Sequence, residues 1–502
     1  MHNQKQSHQK KDEKALVIGA GIAGLLTARV LSDYYQDVIV IEKDELTEKP
    51  SNRKGTPQDF HPHRVLPRGD IIMNRFFPDY MEDLFDLGAH NAKNDKVINY
   101  SPFGTLEITI NQRSVASSRP LLEFGIRQRV QELENVKFLS RQSVRGLVTS
   151  DDNKEVTGVQ VKERNGNKEE GTIPANLVVD TSGRYSKLNK WLTDMGYNVP
   201  EQERLQVRFG YSTRYYQVPA HISEKLSGIS RGVPEENVGS VGLFYIENNM
   251  AQTILFNAGG SNLPSTNTED FDKQLNEWAS PMINDLIKEL KPIEAPRGYR
   301  AAESVRQHYE QMESWPSGLL VLGDAFCNFD PIYGQGMTVA AIEAEMLAIC
   351  LEEKDSSKVG FEHHVLQRMQ QAIEPAWWLS SIEDLRWRGV EHVGNVPLKG
   401  VTFAQKYFNL YLRHAMKQAK EENDLSMFHQ YMKMNGLIDS PSEIINPEML
   451  NTLITGDGSP EEEAVLAELG ELDMNKMQKR LNELMPSFSL AFDEKVPDLF
   501  ST

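Results

Sequence analysis

The run Leu319-Leu320-Val321-Leu322-Gly323-Asp324-Ala325, followed by Asp330-Pro331-Ile332-Tyr333-Gly334-Gln335-Gly336-Met337, constrains the fold of this chain more than any other segment. Four apolar residues suit a buried parallel strand, and Gly323 lets another backbone come close. Asp324 then places a carboxylate at the strand's carboxyl end, where open α/β sheets hold their ligands. Gly334 and Gly336 open a helix, in which Ala340, Ala341 and Ala344 leave room for close packing. The unpaired N–H groups of its first turn favour negative charge. A reduced flavin carries such charge on its pyrimidine ring, so Asp324, Gly334, Gly336 and Met337 are expected to lie against a flavin.

A second nucleotide signal lies near the N-terminus. Ala15-Leu16-Val17-Ile18 reads as a strand, Gly19-Ala20-Gly21-Ile22-Ala23-Gly24 as a tight turn, Ile22 to Leu31 as a helix, and Val38-Ile39-Val40-Ile41 as the next strand, ending at Glu42. Gly19 permits the turn, Gly21 allows approach to a pyrophosphate, and Gly24 lets helix and strand pack. Glu42 can accept both hydroxyls of an adenosine ribose. This half alone fits FAD and NAD equally; the Gly323-Asp324 segment points to a flavin.

Two further features are read from the residues. Pro120 suits a first helical turn, and Leu122, Ile126, Val130 and Leu133 follow at helical spacing, so Arg119 stands where a helix begins. That position serves an anion and equally a solvated arginine. His61 and His63 flank a proline in a polar loop and fit either the cofactor's edge or an ordinary loop. No cysteine or HExxH pattern accompanies them, so a metal site is not expected.

The chain's 502 residues allow more than one lobe, and its two cysteines, Cys327 and Cys350, make no disulfide framework. That usage fits a reducing, cytoplasmic setting. A net charge of −18 argues against nucleic acid as a partner. No apolar run is long enough for a membrane span, and the polar, lysine-rich start is not a signal peptide. The expected layout is a disordered leader over 1–13, an FAD-binding domain over 14–80, 118–187 and 297–350, and a substrate domain over 81–117 and 188–296. A helical C-terminal region over 351–456 follows, and then an acidic tail over 457–502, read as a solvated helical or mobile segment. Val97 to Ile110 reads as a hairpin, and Gln206 to Tyr216, Gly239 to Ile246 and Ala251 to Phe256 as antiparallel strands with a cofactor-facing and an outer side. Arg214, Tyr215 and Tyr216 are candidates to approach a substrate. Trp377, Trp378, Trp387, Phe403, Phe408 and Met416 are expected mostly in the core.

Taken together, the Gly19–Gly24 loop, Arg53-Lys54-Gly55-Thr56-Pro57-Gln58, His61-Pro62-His63, Ser118-Arg119-Pro120-Leu121-Leu122-Glu123, Asp180-Thr181-Ser182-Gly183-Arg184, the Gly323–Thr338 run and Glu383-Asp384-Leu385-Arg386 resemble the group A FAD-dependent monooxygenases. This is the superfamily of p-hydroxybenzoate hydroxylase and squalene epoxidase, and the nearest likeness is to bacterial polyether-epoxidase-like and hydroxylase-like members. The resemblance implies an α/β fold: a Rossmann-like FAD-binding domain interleaved with an antiparallel β-sheet substrate domain, plus the helical C-terminal region. It implies FAD contacts at Gly19, Gly21, Gly24, Glu42, Arg53, Arg119 and Asp324. The activity it implies is hydroxylation or epoxidation of a mostly apolar small molecule with O2, through a C4a-hydroperoxyflavin, with NAD(P)H as reductant. Where many relatives carry an Asp-Gly pair, this chain has Ser182-Gly183, so NAD(P)H is expected to act either directly or through a separate flavin reductase. The resemblance names no catalytic acid or base. The competing readings are a geranylgeranyl reductase-like enzyme that does not use O2, a halogenase, whose Trp-x-Trp-x-Ile-Pro signature is missing, and a nonenzymatic FAD-binding protein.

Overall fold

The computed structural model of the protein describes residues 11–164, 170–353, 359–470, 474–488 and 491–492. Five parallel strands form the central sheet of the nucleotide lobe, in the order Leu319–Val321, Leu177–Asp180, Lys11–Ile18, Tyr35–Ile41 and Val136–Leu139. Ala15 pairs with Leu177 on one side and Val38 on the other, and the strand is buried on both faces, so its sequence is a continuous apolar run without alternation. The first strand begins at Lys11, ahead of the boundary expected at Lys14; the remaining leader, 1–10, lies outside the described residues. Helix Ile22–Leu31 buries Leu25, Leu26 and Ala28, and helix Gln335–Glu353 runs against it.

The middle sheet contains Phe209–Gln217, Met250–Asn257 and Ser240–Ile246 as antiparallel neighbours, extended through Leu226–Ser230 to the hairpin Lys96–Ser101 and Gly104–Thr109. Its alternation does not divide core from solvent. Tyr211, Thr213 and Tyr215 face the nucleotide lobe, while Tyr216, Leu243 and Leu255 join Phe271, Leu275 and Ile283 in a second core. That second core lies beneath helices Thr268–Trp278 and Pro281–Lys288. Arg297–Ala301 pairs with Phe209–Gln217, so the sheet claims residues expected in the FAD-binding domain from position 297. Conversely, helix Tyr80–Asp86, expected mostly in the substrate domain, packs on helix Arg119–Gln131, where a Cβ on Gly125 would lie 2.7 Å from Leu84.

Beyond residue 360 the described chain is mainly helical, apart from the short strand His392–Val393. Trp377, Trp378, Phe403, Tyr407, Phe408 and Tyr411 are buried in the same apolar cluster as the nucleotide-lobe strands, so these helices complete the first core. The acidic segment is helical, one of the two forms expected, but it is docked on the protein and not wholly solvated. Helix Pro460–Leu469 buries Val465 and Leu469 and docks on helix Val401–Glu421, with Arg413 3.0 Å from Asp457 and Lys406 2.5 Å from Glu468. The apolar positions among the glutamates give the segment one face to bury. Glu471 and Asp473 lie outside the described residues.

Candidate flavin site

The three loop glycines have three different reasons to lack a side chain. Gly19 has φ +107°, and a Cβ there would sit 2.7 Å from the Thr181 carbonyl oxygen. A Cβ on Gly24 would lie 2.0 Å from the carbonyl oxygen of Gly19. At Gly21 the Cβ would meet nothing within 4 Å; the residue caps helix Ile22–Leu31 without a side-chain hydrogen bond, leaving first-turn N–H groups aimed at open space. Glu42, at the end of the neighbouring strand, accepts hydrogen bonds from the backbone N–H of Ala20 (2.8 Å) and Asp44 (2.9 Å) and lies 3.3 Å from Arg53.

Arg53 joins this acid to a buried ion network. Its Nε donates to Glu123 at 2.9 Å; Glu123 in turn lies 3.1 Å from Arg119, which also pairs with Asp59. Arg119 opens its helix as expected, with Ser118 as the capping residue. Its guanidinium therefore already holds two carboxylates, and it still lies within electrostatic reach of Asp324.

The two halves of the site meet at Gly323, which has φ +69° and whose Cβ would sit 2.6 Å from the Ala23 Cβ. The next residue is Asp324; its carbonyl oxygen accepts from Asn328 Nδ2 at 3.4 Å, while its carboxyl accepts no hydrogen bond and forms no ion pair among the described residues. A Cβ on Gly336 would have only Asp324 Oδ1, at 3.9 Å, within 4 Å. Burial pushes the Asp324 carboxyl above the usual carboxylate range, against the pull of Arg184 and Arg119. Gly334, at φ +68°, turns the chain into helix Gln335–Glu353, in which Met337 is buried. An uncommitted carboxyl, a gap at Gly336 and open space at Gly21 together fit an extended dinucleotide whose polyol needs an acceptor and whose pyrophosphate needs N–H donors. The residues present therefore fit FAD.

His61 and His63 brace the loop above this cleft. His61 Nδ1 lies 2.8 Å from Thr213 Oγ1, its ring sits among those of Tyr211 and Tyr299, and His63 Nδ1 is 2.8 Å from the His61 carbonyl oxygen. Burial lowers their pKa values to about 4 and about 3, with Arg119 adding to the effect at His63, so both rings are neutral at pH 7. Among the described residues no group of three or more His, Cys, Asp or Glu could hold a metal. Of the expected sheet candidates only Tyr215 faces inward, 4.6 Å from the Phe60 ring. Arg214 and Tyr216 point the other way, Arg214 to Asp272 at 2.9 Å, because adjacent residues of a strand face opposite sides.

Several residues that shape the site were given no role in the sequence reading. Glu123 is detectable only as a partner one helical turn after Arg119. Arg184 donates to the carbonyl oxygens of Glu303 (2.7 Å) and Phe329 (2.9 Å), joining the middle motif to the flavin-side strand. Asp180 accepts from Ser182 N (2.9 Å) and from Ser186 Oγ (2.5 Å), which commits it to shaping its own loop. An open depression of about 280 Å³, lined by Arg208, Phe209, Leu263, Arg300, Ala301 and Ala302, lies at the end of the middle sheet and includes none of the expected cofactor residues.

A parallel-sheet nucleotide lobe, a late strand–glycine–helix unit closing on it and a middle sheet covering both define a flavin-binding oxidoreductase architecture. The chain belongs to the group A FAD-dependent monooxygenases. The squalene epoxidase family matches residues 174–372, and the FAD binding domain family matches residues 72–208. Protein Rv3254 of Mycobacterium tuberculosis is 31% identical over 389 residues, covering 74% of this chain and 80% of that protein. Squalene epoxidase 3 of Arabidopsis thaliana is 26% identical over 359 residues, covering 67% of this chain and 59% of its own length. The structure of p-nitrophenol 4-monooxygenase PnpA from Pseudomonas putida superposes with a TM-score of 0.56 at 14% identity, covering 86% of this chain and all 100% of that one. The protein is accordingly an FAD-dependent monooxygenase, an oxidoreductase acting on a small molecule with O2. No helix among the described residues is long and apolar enough to cross a membrane.

Proposed function

We propose that this enzyme hydroxylates or epoxidises a largely apolar substrate held between the middle sheet and the C-terminal helices, with FAD along Gly19, Gly21, Gly24 and Glu42 and its ribityl chain at Asp324. The observation that carries this reading is the uncommitted Asp324 carboxyl beside the gap at Gly336, on the same cleft as the open Gly21 turn. When bound and reduced, FAD supplies the electrons that activate O2. The chain's own part is binding, orientation and exclusion of water. The first-turn N–H groups of helix Gln335–Glu353, with Gly334, Gly336 and Met337, offer a positive terminus to the electron-rich ring. Tyr211, Tyr215, Tyr299 and the neutral rings of His61 and His63 wall the cleft with surface that holds little water. Arg53 and Arg119 hold the loop and helix that frame the nucleotide.

NAD(P)H is the proposed reductant, acting directly or through a flavin reductase. The commitment of Asp180 to Ser182 and Ser186 supports the second route, since no carboxylate replaces the one absent at Ser182. The test is product analysis under labelled O2, with reductant and oxygen consumption measured for long alkenes, polycyclic compounds and simple phenols. One oxygen atom incorporated into a large apolar compound, with stimulated oxygen uptake, is the expected result. Tight, coupled turnover of a simple phenol with no response to the larger set overturns the substrate reading.

A further inference from the structure

Asp324 is held by its backbone and left free at its side chain, and a buried acid takes part in that arrangement. Leu322 N donates to the Asp180 carbonyl oxygen at 3.0 Å, within the parallel sheet. The next amide, that of Gly323, donates instead to the side chain of Glu343. The Gly323 carbonyl oxygen accepts from Phe326 N at 2.8 Å, and the Asp324 carbonyl oxygen accepts from Asn328 Nδ2 at 3.4 Å. Gly323 also has φ +69° and lies against Ala23, so the short turn Gly323–Ala325 has little freedom. Its backbone is tied on both sides of the Asp324 side chain.

Glu343 stands in an unusual place for a carboxyl. It lies inside helix Gln335–Glu353 and is fully buried, as are Ala341, Ala344 and Leu347 on the same helix. An acid in such a position is costly unless a polar partner compensates it. Glu343 forms no ion pair among the described residues, and its Oε1 atom has no hydrogen-bond partner there. Its one hydrogen-bonded contact is therefore the amide of the residue that precedes Asp324. Burial pushes its carboxyl well above the usual carboxylate range, against the Gly323 hydrogen bond and with Asp324 adding to the rise. That favours the neutral acid, whose carbonyl oxygen still accepts from an amide. The same helix passes Asp324 at Gly336, about 10 Å earlier along its axis. One helix thus meets one turn at two points, and the second of them is Glu343.

We infer that Glu343 is a positioning residue for the cofactor: through the Gly323 amide it fixes the turn that presents the Asp324 carboxyl to the ribityl chain of FAD. The inference rests on the reading of Asp324 as the ribityl acceptor and adds the buried group that aims it. The role calls for an accepting oxygen, which glutamine supplies and leucine does not. Glu343 acts through Gly323 and has no part in oxygen chemistry.

FAD dissociation constants, read from flavin fluorescence as the FAD-stripped protein is titrated, test this without turnover. Melting temperatures of the stripped proteins report folding separately. Glu343→Leu should weaken FAD binding by about tenfold or more, while Glu343→Gln stays within about threefold of the wild type. In an Asp324→Ala background, Glu343→Leu should add less than about threefold, because the group it positions is gone. Wild-type affinity in Glu343→Leu, or a glutamine as damaging as the leucine, overturns the inference. An equal loss in both backgrounds also overturns it, since that is the mark of a general structural role. Should Glu343→Leu fail to fold, Glu343→Met takes its place; failure of both, with Glu343→Gln folded, makes Glu343 a folding residue and overturns the positioning role. Failure of the wider reading is distinct: Asp324→Ala alone would then bind FAD as the wild type does, and the inference falls with it.

Discussion

At the scale of single residues, the most informative positions are the ones where a side chain is missing or a polar group is unused. Gly21 faces open space, so a larger residue there fits the protein and collides only with a ligand. Gly21→Glu should therefore fold with the melting temperature of the FAD-free wild type yet purify without FAD, because the new carboxylate occupies and repels the pyrophosphate space. Full FAD occupancy in that variant would remove the N-terminal loop from the site. Asp324 gives a graded test. A hydrogen bond to a charged group is worth about 1.5–3 kcal/mol, so Asp324→Ala should weaken FAD binding by roughly 10- to 150-fold and leave the fold intact. Unchanged affinity, measured by flavin fluorescence on dilution, would end the ribityl assignment. These residues were singled out in the sequence because a glycine turn and a strand-end carboxylate at that spacing suit a dinucleotide, and in the fold one faces open space and the other has an uncommitted carboxyl. Asp59, and the place of Glu123 between Arg53 and Arg119, were not, since such acids gain their meaning from neighbours that only folding supplies.

Among elements, the long ones followed their periodicity and the short ones did not. The strand over Val38 to Ile41, the helix over Ile22 to Leu31 and the hairpin around Lys96 and Thr109 are close to the sequence reading. The small sheet of Cys327–Asn328, Ser304–Arg306, Glu203–Leu205 and His392–Val393 has strands of two or three residues, too few to show any period. That sheet carries a polar clasp in which Glu203 lies 3.2 Å from His308 and 2.9 Å from His392. Burial alone lowers the His308 pKa, but hydrogen bonds to Glu203 and Glu310 overcome it and raise the value to about 9. The folded value exceeds the unfolded one near 6.5, so this stabilisation is complete below about pH 6.5 and is lost as pH rises through about 9. The melting temperature should fall between pH 7 and 10 in the wild type, and less steeply in His308→Gln. Parallel curves for the two proteins would show that the clasp contributes nothing to stability.

For the whole molecule, the interleaving was visible in the sequence because two nucleotide motifs stand at opposite ends of one lobe. The destination of the acidic segment was not, because docking of Pro460–Leu469 depends on Val465 and Leu469 finding helix Val401–Glu421, and composition records the charges without the partner. The interleaving also bears on how the protein is made. Among the described residues Leu319–Val321 pairs only with Leu177–Asp180, and Gly323 touches Ala23, roughly 300 positions earlier in the chain. At ~5–20 residues per second, a ribosome needs about 15–60 s to add that stretch. For the latter part of that interval, the roughly 7–28 s between translation of Leu177–Asp180 and of Leu319–Val321, the earlier strand has an open edge, a template for pairing with another nascent chain. The cofactor cannot shield it, because Asp324, the proposed acceptor, has not yet been translated. Biogenesis therefore has to protect this edge until the late strand arrives, and only then does loading with FAD become a single closing event.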